Sequence, residues 1–209
     1  MYVCLGAVSR SNATRLLTSS DIDSYISVLR LKNVKGTLLL GPHHMEETYQ
    51  QSYEFDGKMR FRNKYRYVPE SACDSRVQRF THGRHTDVSG ITTIAMPINI
   101  TNTHWVCGVI DIEAAKVEIW DSLDFGDSVD KMGDALIQWI NDVRKMKDLA
   151  SIKFTFKKHT YPKQGNLYDC GVYALMCLEA TLGGMDKKYG QDDAKRLRQN
   201  MLKILPPHQ

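Results

Sequence analysis

The stretch Gln164-Gly165-Asn166-Leu167-Tyr168-Asp169-Cys170-Gly171 is typical of a loop that turns abruptly into a helix, because an apolar run from Val172 to Leu178 follows it at once. A cysteine at the first helical position, here Cys170, would lie among unpaired backbone N–H groups and at the positive end of the helix dipole. Both favour the thiolate. The helix that follows is apolar on nearly all sides, so we expect it to be central and buried. An ordinary core cysteine beside a helix start is the alternative.

Composition limits the classes of protein to which the chain could belong. Of its 209 residues, 42% are hydrophobic and 25% are charged, which is typical of a soluble globular domain with a proper core. No apolar run reaches the roughly 18 residues of a membrane span, and the N-terminus lacks the basic region of a signal peptide. A net charge of +4 is too small to indicate nucleic-acid binding by itself. We therefore expect neither a membrane nor a nucleic-acid partner.

The cysteines indicate a reducing compartment. There are five, an odd number without regular spacing or a Cys-X-X-Cys pair, so neither a disulfide framework nor a structural zinc site is indicated. We predict an intracellular protein, in the nucleus or cytoplasm, of a host cell if the chain is an effector or a viral protein.

The first part of the chain contains short elements. Thr18 or Ser19 is expected to cap a helix with Asp21 in its first turn. The inward face of this helix would consist of Ile22, Ile26 and Leu29. Residues 37–40 are typical of a buried strand, and residues 45–53 are predicted to be helical.

Residues 58–67 form an unusual alternating segment. Cations occupy every second position, namely Lys58, Arg60, Arg62, Lys64 and Arg66. A strand would carry all of them on one face. A half-buried strand with a solvated basic edge accounts for this pattern, and so does a basic ridge that binds an acidic protein surface or a polyanion. Residues 68–90 have no clear period and are expected to form a long loop. We predict one domain over residues 1–209, with residues 55–90 as a basic insertion.

A hairpin is predicted near the middle of the chain. His104 to Ile112 and Val117 to Asp121 are apolar and β-rich, and residues 113–116 would form the turn between them. Antiparallel pairing brings His104, at the start of the first strand, next to Asp121, at the end of the second. A carboxylate beside an imidazole holds it in one tautomer and makes it a better base.

The remaining segments have clear periods. Asp127 or Ser128 is expected to cap a helix after the hairpin. The buried face of that helix would consist of Val129, Met132, Leu136, Ile140 and Val143. Residues 91–100 and 153–157 are predicted strands, and residues 192–203 a polar terminal helix.

In this order, the histidine, aspartate, glutamine and cysteine resemble the motifs of the ubiquitin-like-protein-specific cysteine proteases, the SUMO-protease type of the adenain-like superfamily. The matching features are Pro97-Ile98-Asn99 before His104-Trp105, Val117 before Asp121-Ser122-Leu123, Gln164 six residues before Cys170, and Tyr168-Asp169-Cys170-Gly171. Residues 17–25 also resemble the family's N-terminal motif. The resemblance covers about residues 16–184, and residues 55–90 match it poorly.

The resemblance implies a role for each of these residues. Cys170 is similar to the family's nucleophile, His104 to its general base and acid, and Asp121 to the residue that orients the histidine. Gln164 resembles the side-chain donor of the oxyanion hole. These roles agree with the chemistry of the residues, because thiolate attack on a carbonyl needs a neighbouring base and hydrogen-bond donors for the developing oxyanion.

The resemblance also implies substrate contacts. Trp105 is similar to a tryptophan beside a narrow channel for the substrate's Gly-Gly tail. An ordinary aromatic residue of the hairpin core is the alternative. Leu16 stands where the family usually has tryptophan as the lid of that channel, which implies a differently shaped clamp. The same region normally supplies acidic contacts to the modifier, for which Asp21 and Asp23 are the candidates.

The implied fold is α+β, of the papain-like cysteine protease type, with a central mixed, mostly antiparallel sheet flanked by helices. The implied activity is hydrolysis after the C-terminal glycine of a ubiquitin-like modifier, with SUMO as the first candidate and ubiquitin or another modifier as the second. It would serve deconjugation from lysine, precursor maturation or both, in a monomer that needs no cofactor and no metal. The alternatives are a viral-type maturation protease of the same superfamily, an effector-type acyltransferase with the same Cys-His pair, and a module that binds modifiers without cutting them.

Overall fold

The computed structural model describes residues 14–42, 49–55, 61–67, 90–100, 103–183 and 188–204. These ranges contain four helices and seven strands. The helices are α1 (Ser19–Arg30), α2 (Asp127–Met146), α3 (Cys170–Thr181) and α4 (Gln191–Ile204). The strands are β1 (Thr37–Leu39), β2 (Tyr49–Phe55), β3 (Phe61–Tyr67), β4 (Thr93–Ile100), β5 (His104–Asp111), β6 (Lys116–Trp120) and β7 (Thr155–His159). In the described ranges, no helix combines the length and the apolar character that crossing a membrane requires.

A five-stranded sheet in the order β1-β4-β5-β6-β7 is the centre of the fold. Strand β5 pairs antiparallel with both β4 and β6, as the predicted hairpin requires. The outer strands β1 and β7 pair parallel with β4 and β6. The sheet is therefore mixed, as predicted, and its antiparallel pairing is confined to the two central pairs. Strands β2 and β3 form a separate antiparallel pair.

The two faces of the sheet bury separate hydrophobic clusters, because successive side chains of a strand point to opposite faces. From β5, Trp105, Cys107 and Val109 join a front cluster with α1, α3 and α4. Val106 and Ile110 join a rear cluster with α2. Burying an aliphatic or aromatic side chain contributes roughly 1.5–3 kcal/mol to folding, so both clusters fix the sheet between the helices.

Helix α1 begins as its sequence predicts. Thr18 is the N-cap: its Oγ1 accepts from the Asp21 backbone N–H at 3.2 Å, and its own N–H donates to Asp21 Oδ2 at 2.8 Å. This reciprocal pair satisfies two donors that a helix start leaves without partners. The predicted inward face of Ile22, Ile26 and Leu29 is buried.

Three local predictions are wrong. Residues 49–53 lie in β2 and not in a helix; pairing with β3 supplies hydrogen-bond partners that local propensity does not reveal. Helix α2 is preceded by Gly126, not by a capping side chain, and Gly126 has φ 59°, a conformation that suits glycine. Strand β7 begins at Thr155, two residues later than predicted, because its register follows β6. The predicted buried face of α2 is confirmed.

The basic segment is confirmed as a strand over residues 61–67. Residues 45–48, 58–60 and 68–89 lie outside the described residues, so the long loop predicted after the strand stays a prediction.

Candidate active site

Cys170 is the first residue of α3, as its sequence context predicts. The thiol-bearing residue is 1% exposed, and every residue from Cys170 to Leu178 is buried. Helix α3 is therefore a central element, and the loop before it lies where the helix dipole is positive. The cysteine is held by the packing of the whole front cluster.

His104 and Asp121 form a buried pair at the end of the β5–β6 hairpin. His104 Nε2 lies 2.7 Å from Asp121 Oδ1, across 17 positions of sequence. Asp121 follows β6 directly, and its backbone N–H donates to the His159 carbonyl of β7 at 2.8 Å. The predicted contact between imidazole and carboxylate is confirmed, and it is produced by the antiparallel register of the hairpin.

The carboxylate of Asp121 is held in its ionised form. Burial alone would raise its pKa, but hydrogen bonds from His104 and from the backbone N–H groups of Leu123 and Phe125 lower it. Leu123 N–H donates to Oδ1 at 2.9 Å and Phe125 N–H to Oδ2 at 2.5 Å. An ionised carboxylate only accepts hydrogen bonds. The proton of the pair therefore belongs to His104 Nε2.

The second nitrogen of the imidazole is the one left for the thiol. Burial would lower the pKa of His104, but the hydrogen bond to Asp121 and the interaction with Cys170 raise it to about 9. Since Nε2 is taken by Asp121, Nδ1 is the nitrogen left for Cys170; it is buried and makes no hydrogen bond in the described part of the chain. Asp121 and Cys170 are thus the two neighbours that raise the pKa of His104.

The amide of Gln164 is fixed in orientation. Its Oε1 accepts from Ser122 Oγ at 2.6 Å, and its Nε2 donates to the Asn166 carbonyl at 2.5 Å. The backbone N–H of Gln164 also donates to the Ser122 carbonyl at 3.2 Å. A primary amide nitrogen carries two N–H groups, so one donor of Gln164 remains for another acceptor. The sequence did not indicate that Ser122 sets this orientation.

A buried ion pair ties the loop before Cys170 to the last helix. Asp169 Oδ1 accepts from Arg198 Nε at 2.8 Å, and Asp169 Oδ2 accepts from Asn166 and Gln191 at 2.7 and 2.6 Å. Arg198 also donates to the carbonyls of Tyr168 and Arg15, at 2.8 and 2.9 Å. One guanidinium thus joins α4, the loop and the segment that carries Leu16. Sequence reasoning missed Arg198, which lies in a helix predicted only as polar.

Trp105 and Leu17 meet at a close approach to Gly171 within the chain. Trp105 is 3% exposed, and its Nε1 donates to the Leu17 carbonyl at 2.9 Å. A Cβ on Gly171 would lie 3.1 Å from Leu17 Cβ and 3.2 Å from Trp105 Cδ1. Glycine is therefore the residue that fits after Cys170. Leu16, next to this contact, is 45% exposed.

Asp21 does not have the exposure expected of a substrate contact, which corrects that prediction. Its side chain is 2% exposed, and its carboxylate accepts two hydrogen bonds from Arg15, at 2.7 and 2.9 Å, besides those from Thr18. Burial would raise the pKa of Asp21, but these hydrogen bonds and the charge of Arg15 lower it well below its ordinary value. Asp21 holds the segment that carries Leu16 and has no free carboxylate oxygen for a partner.

The sequence also matches the model of a known protein family. The pattern of the Ulp1 protease family, C-terminal catalytic domain, covers residues 43–204. The chain belongs to this family. The family is one of cysteine-type peptidases, and the resemblance stated from the sequence motifs is confirmed. His104, Asp121, Gln164 and Cys170 all lie within the matched range.

A curated protein agrees with this assignment. Ubiquitin-like-specific protease 1 of Saccharomyces cerevisiae is 29% identical over 126 residues, which cover 58% of this chain and 20% of the yeast protein. The match thus spans about a fifth of the length of that curated relative.

Two solved structures share the fold. The C-terminal Ulp1 protease domain in complex with Smt3, the yeast orthologue of SUMO, has a TM-score of 0.65 at 21% identity, covering 90% of this chain and 75% of that chain. The ASFV pS273R protease has a TM-score of 0.53 at 17% identity, covering 93% of this chain and 71% of that chain. The predicted α+β protease fold is confirmed.

Proposed function

We propose that the chain hydrolyses the peptide or isopeptide bond after the C-terminal glycine of a ubiquitin-like modifier, with Cys170 as the nucleophile. The observation that carries this proposal is the buried pair of His104 Nε2 and Asp121 Oδ1 at 2.7 Å, which leaves Nδ1 for the cysteine at the start of α3. The raised pKa of His104, about 9, supports an imidazolium beside Cys170 at neutral pH, and a neighbouring cation activates a cysteine nucleophile.

The reaction follows from these protonation states. The Cys170 thiolate attacks the carbonyl carbon of the modifier's last glycine, and a tetrahedral oxyanion forms. When the C–N bond breaks, His104 gives its Nδ1 proton to the leaving amine, and a thioester remains on Cys170. His104 then takes a proton from water, which attacks the thioester and releases the modifier's carboxylate. Asp121 stays ionised throughout and keeps the Nε2 proton on the imidazole.

Gln164 is the side-chain donor to the oxyanion in this mechanism, together with the backbone N–H of Cys170. The contacts of its amide to Ser122 and Asn166 support the role, because they fix the amide before substrate binds. Donors that need no reorganisation stabilise a developing charge best.

We expect Gln164→Ala to lower kcat by about 10²–10³, the usual cost of one oxyanion donor, with a smaller change in KM. Steady-state hydrolysis of a modifier–fluorophore conjugate measures both constants. Gln138→Ala is the matched control, because Gln138 is exposed on α2. An unchanged kcat in Gln164→Ala would remove Gln164 from the mechanism.

The substrate of this chain is proposed to be a modifier of the SUMO class, with ubiquitin as the second choice. The yeast relative is named a ubiquitin-like-specific protease, and the related Ulp1 domain was solved with Smt3. Trp105 and Leu16 would border the channel for the Gly-Gly tail, since Trp105 lies at the close approach to Gly171 and the exposed Leu16 directly precedes Leu17, which takes part in that approach. A leucine at position 16 covers less area than a tryptophan, so we expect a wider clamp.

A panel of modifiers with a C-terminal electrophile tests this proposal. Wild-type protein is incubated with SUMO, ubiquitin and other modifier probes, and the adduct is mapped by mass spectrometry. We expect covalent capture at Cys170 by a SUMO probe, and none with Cys170→Ala. Capture by a ubiquitin probe alone would change the modifier and keep the reaction.

No capture by any modifier probe, while the Cys170 thiol is shown to be reduced, would contradict the proposal. Two readouts then separate the alternatives. Cleavage of peptides after Gly-Gly or Gly-X sites would favour a viral-type maturation protease, and transfer of labelled acetyl from acetyl-CoA to protein would favour an acyltransferase.

A further inference from the structure

The loop between β6 and α2 covers the imidazole of His104. The ring of Phe125 stacks on the imidazole, with ring centroids 4.5 Å apart and planes at 17°. The backbone N–H of the same residue donates to Asp121 Oδ2. Phe125 thus contacts both members of the buried pair, the histidine through its ring and the aspartate through its backbone.

The backbone on both sides of Phe125 turns the residue back toward the pair. Asp124 has φ 63° and Gly126 has φ 59°, both in the left-handed region. Aspartate and glycine tolerate this region better than other residues do. Lys158 of β7 lies 3.7 Å from the Asp124 carboxylate, and α2 begins immediately after Gly126. The turn is therefore held at both ends.

Exposure shows what the ring does for its neighbour. Phe125 is 38% exposed, whereas His104 beneath it is 1% exposed. One face of the ring lies on the imidazole while part of the side chain stays in contact with solvent, so the ring separates His104 from water. An aromatic face also attracts a cation, most strongly where water is excluded.

We propose that Phe125 is a positioning residue whose aromatic face stabilises the imidazolium form of His104 and holds it in the plane that Asp121 requires. The inference about this reaction rests on the proposed function, but the stacking itself does not. Among the described residues, the charged and titratable groups that act on His104 are Asp121 and Cys170. Phe125 adds an uncharged contact to the face of the imidazole, whereas Asp121 binds at its edge.

Phe125→Leu tests the aromatic face. Leucine keeps an apolar cover of similar size and the same backbone N–H, but it has no π face. We expect the midpoint for His104 titration, followed by NMR of its ring protons, to fall by about 0.5–1 pH unit, the amount that a cation–π contact contributes. Phe125→Tyr, which keeps the face, should titrate like the wild type.

The matched control is Tyr161→Leu, which removes an aromatic ring that is 65% exposed and makes no stacking contact with His104 among the described residues. The NMR titration needs no substrate, so it decides this inference even if no modifier is cleaved. With an active enzyme, the alkaline limb of kcat/KM should move with the titration midpoint. Coincident titration curves for Phe125→Leu and wild type, or an equal shift in Tyr161→Leu, would overturn the inference.

Discussion

Cys170→Ala is expected to reduce modifier cleavage by about 10⁵–10⁶, because the bond-forming atom is lost and the remaining groups cannot replace it. The variant should still bind the modifier, since only one sulfur is removed from a buried position. Hydrolysis of a modifier–fluorophore conjugate and calorimetric binding of the free modifier measure the two effects separately.

Cys177→Ala is the control for Cys170→Ala. Cys177 lies on the same helix, is equally buried and is also a free thiol. Both substitutions leave a cavity of similar size in the front cluster, so both should lower the melting temperature by a similar amount. Only Cys170→Ala should lose turnover. Equal activities in the two variants would place the nucleophile elsewhere.

Asp121→Asn is expected to lower kcat by about 10²–10⁴, because a neutral amide neither fixes the imidazole tautomer nor stabilises the imidazolium. The wild-type kcat/KM should fall as pH rises through about 9, where His104 loses its proton. Without the carboxylate, burial dominates and lowers the pKa of His104, so this alkaline limb should move to lower pH. A profile measured from pH 5 to 10 records both changes.

The same pair predicts how stability depends on pH. The pKa of His104 is raised in the folded protein above its ordinary value of 6.5, so the contribution of His104 to stability is full below about pH 6.5, as long as Asp121 stays ionised, and is lost as pH rises through about 9. Melting temperatures of wild type and Asp121→Asn should therefore converge at high pH.

Glu118→Gln is the matched control for Asp121→Asn, since Glu118 Oε1 lies 2.8 Å from His159 Nε2 in a second, more exposed histidine–carboxylate pair. It should leave the kcat/KM profile unchanged. A wild-type alkaline limb that stays in place in Asp121→Asn would contradict the assignment of His104.

The sequence predicted the parts of the site that depend on local periodicity. The switch from loop to apolar run located Cys170 at a helix start, and two β-rich segments around a short turn brought His104 to Asp121. In both cases the geometry follows from a repeat of two or 3.6 residues and one short connection. The order of His104, Asp121, Gln164 and Cys170 along the chain then indicated the family.

What the sequence did not reveal depends on contacts between distant segments. Arg198 meets Asp169 from another helix, 29 residues away, and no periodic pattern pairs them. Phe125 reaches His104 only because two left-handed residues reverse the loop. The family resemblance makes Asp21 a candidate contact to the modifier, although its spacing after Thr18 is also that of a capping box. Its burial requires Arg15, whose position the sequence leaves open.

The division of the core by the sheet has a consequence for adaptation. The rear cluster, built mainly from aliphatic residues and Trp139, contains none of the residues proposed for catalysis or substrate binding, whereas the front cluster contains Cys170 and Trp105. Repacking the interface of α2 beyond its first turn, which follows the Phe125 turn, can therefore raise or lower the melting temperature while the groups proposed to react keep their distances. Substitutions in the rear cluster can thus change thermal stability without changing the residues proposed for catalysis.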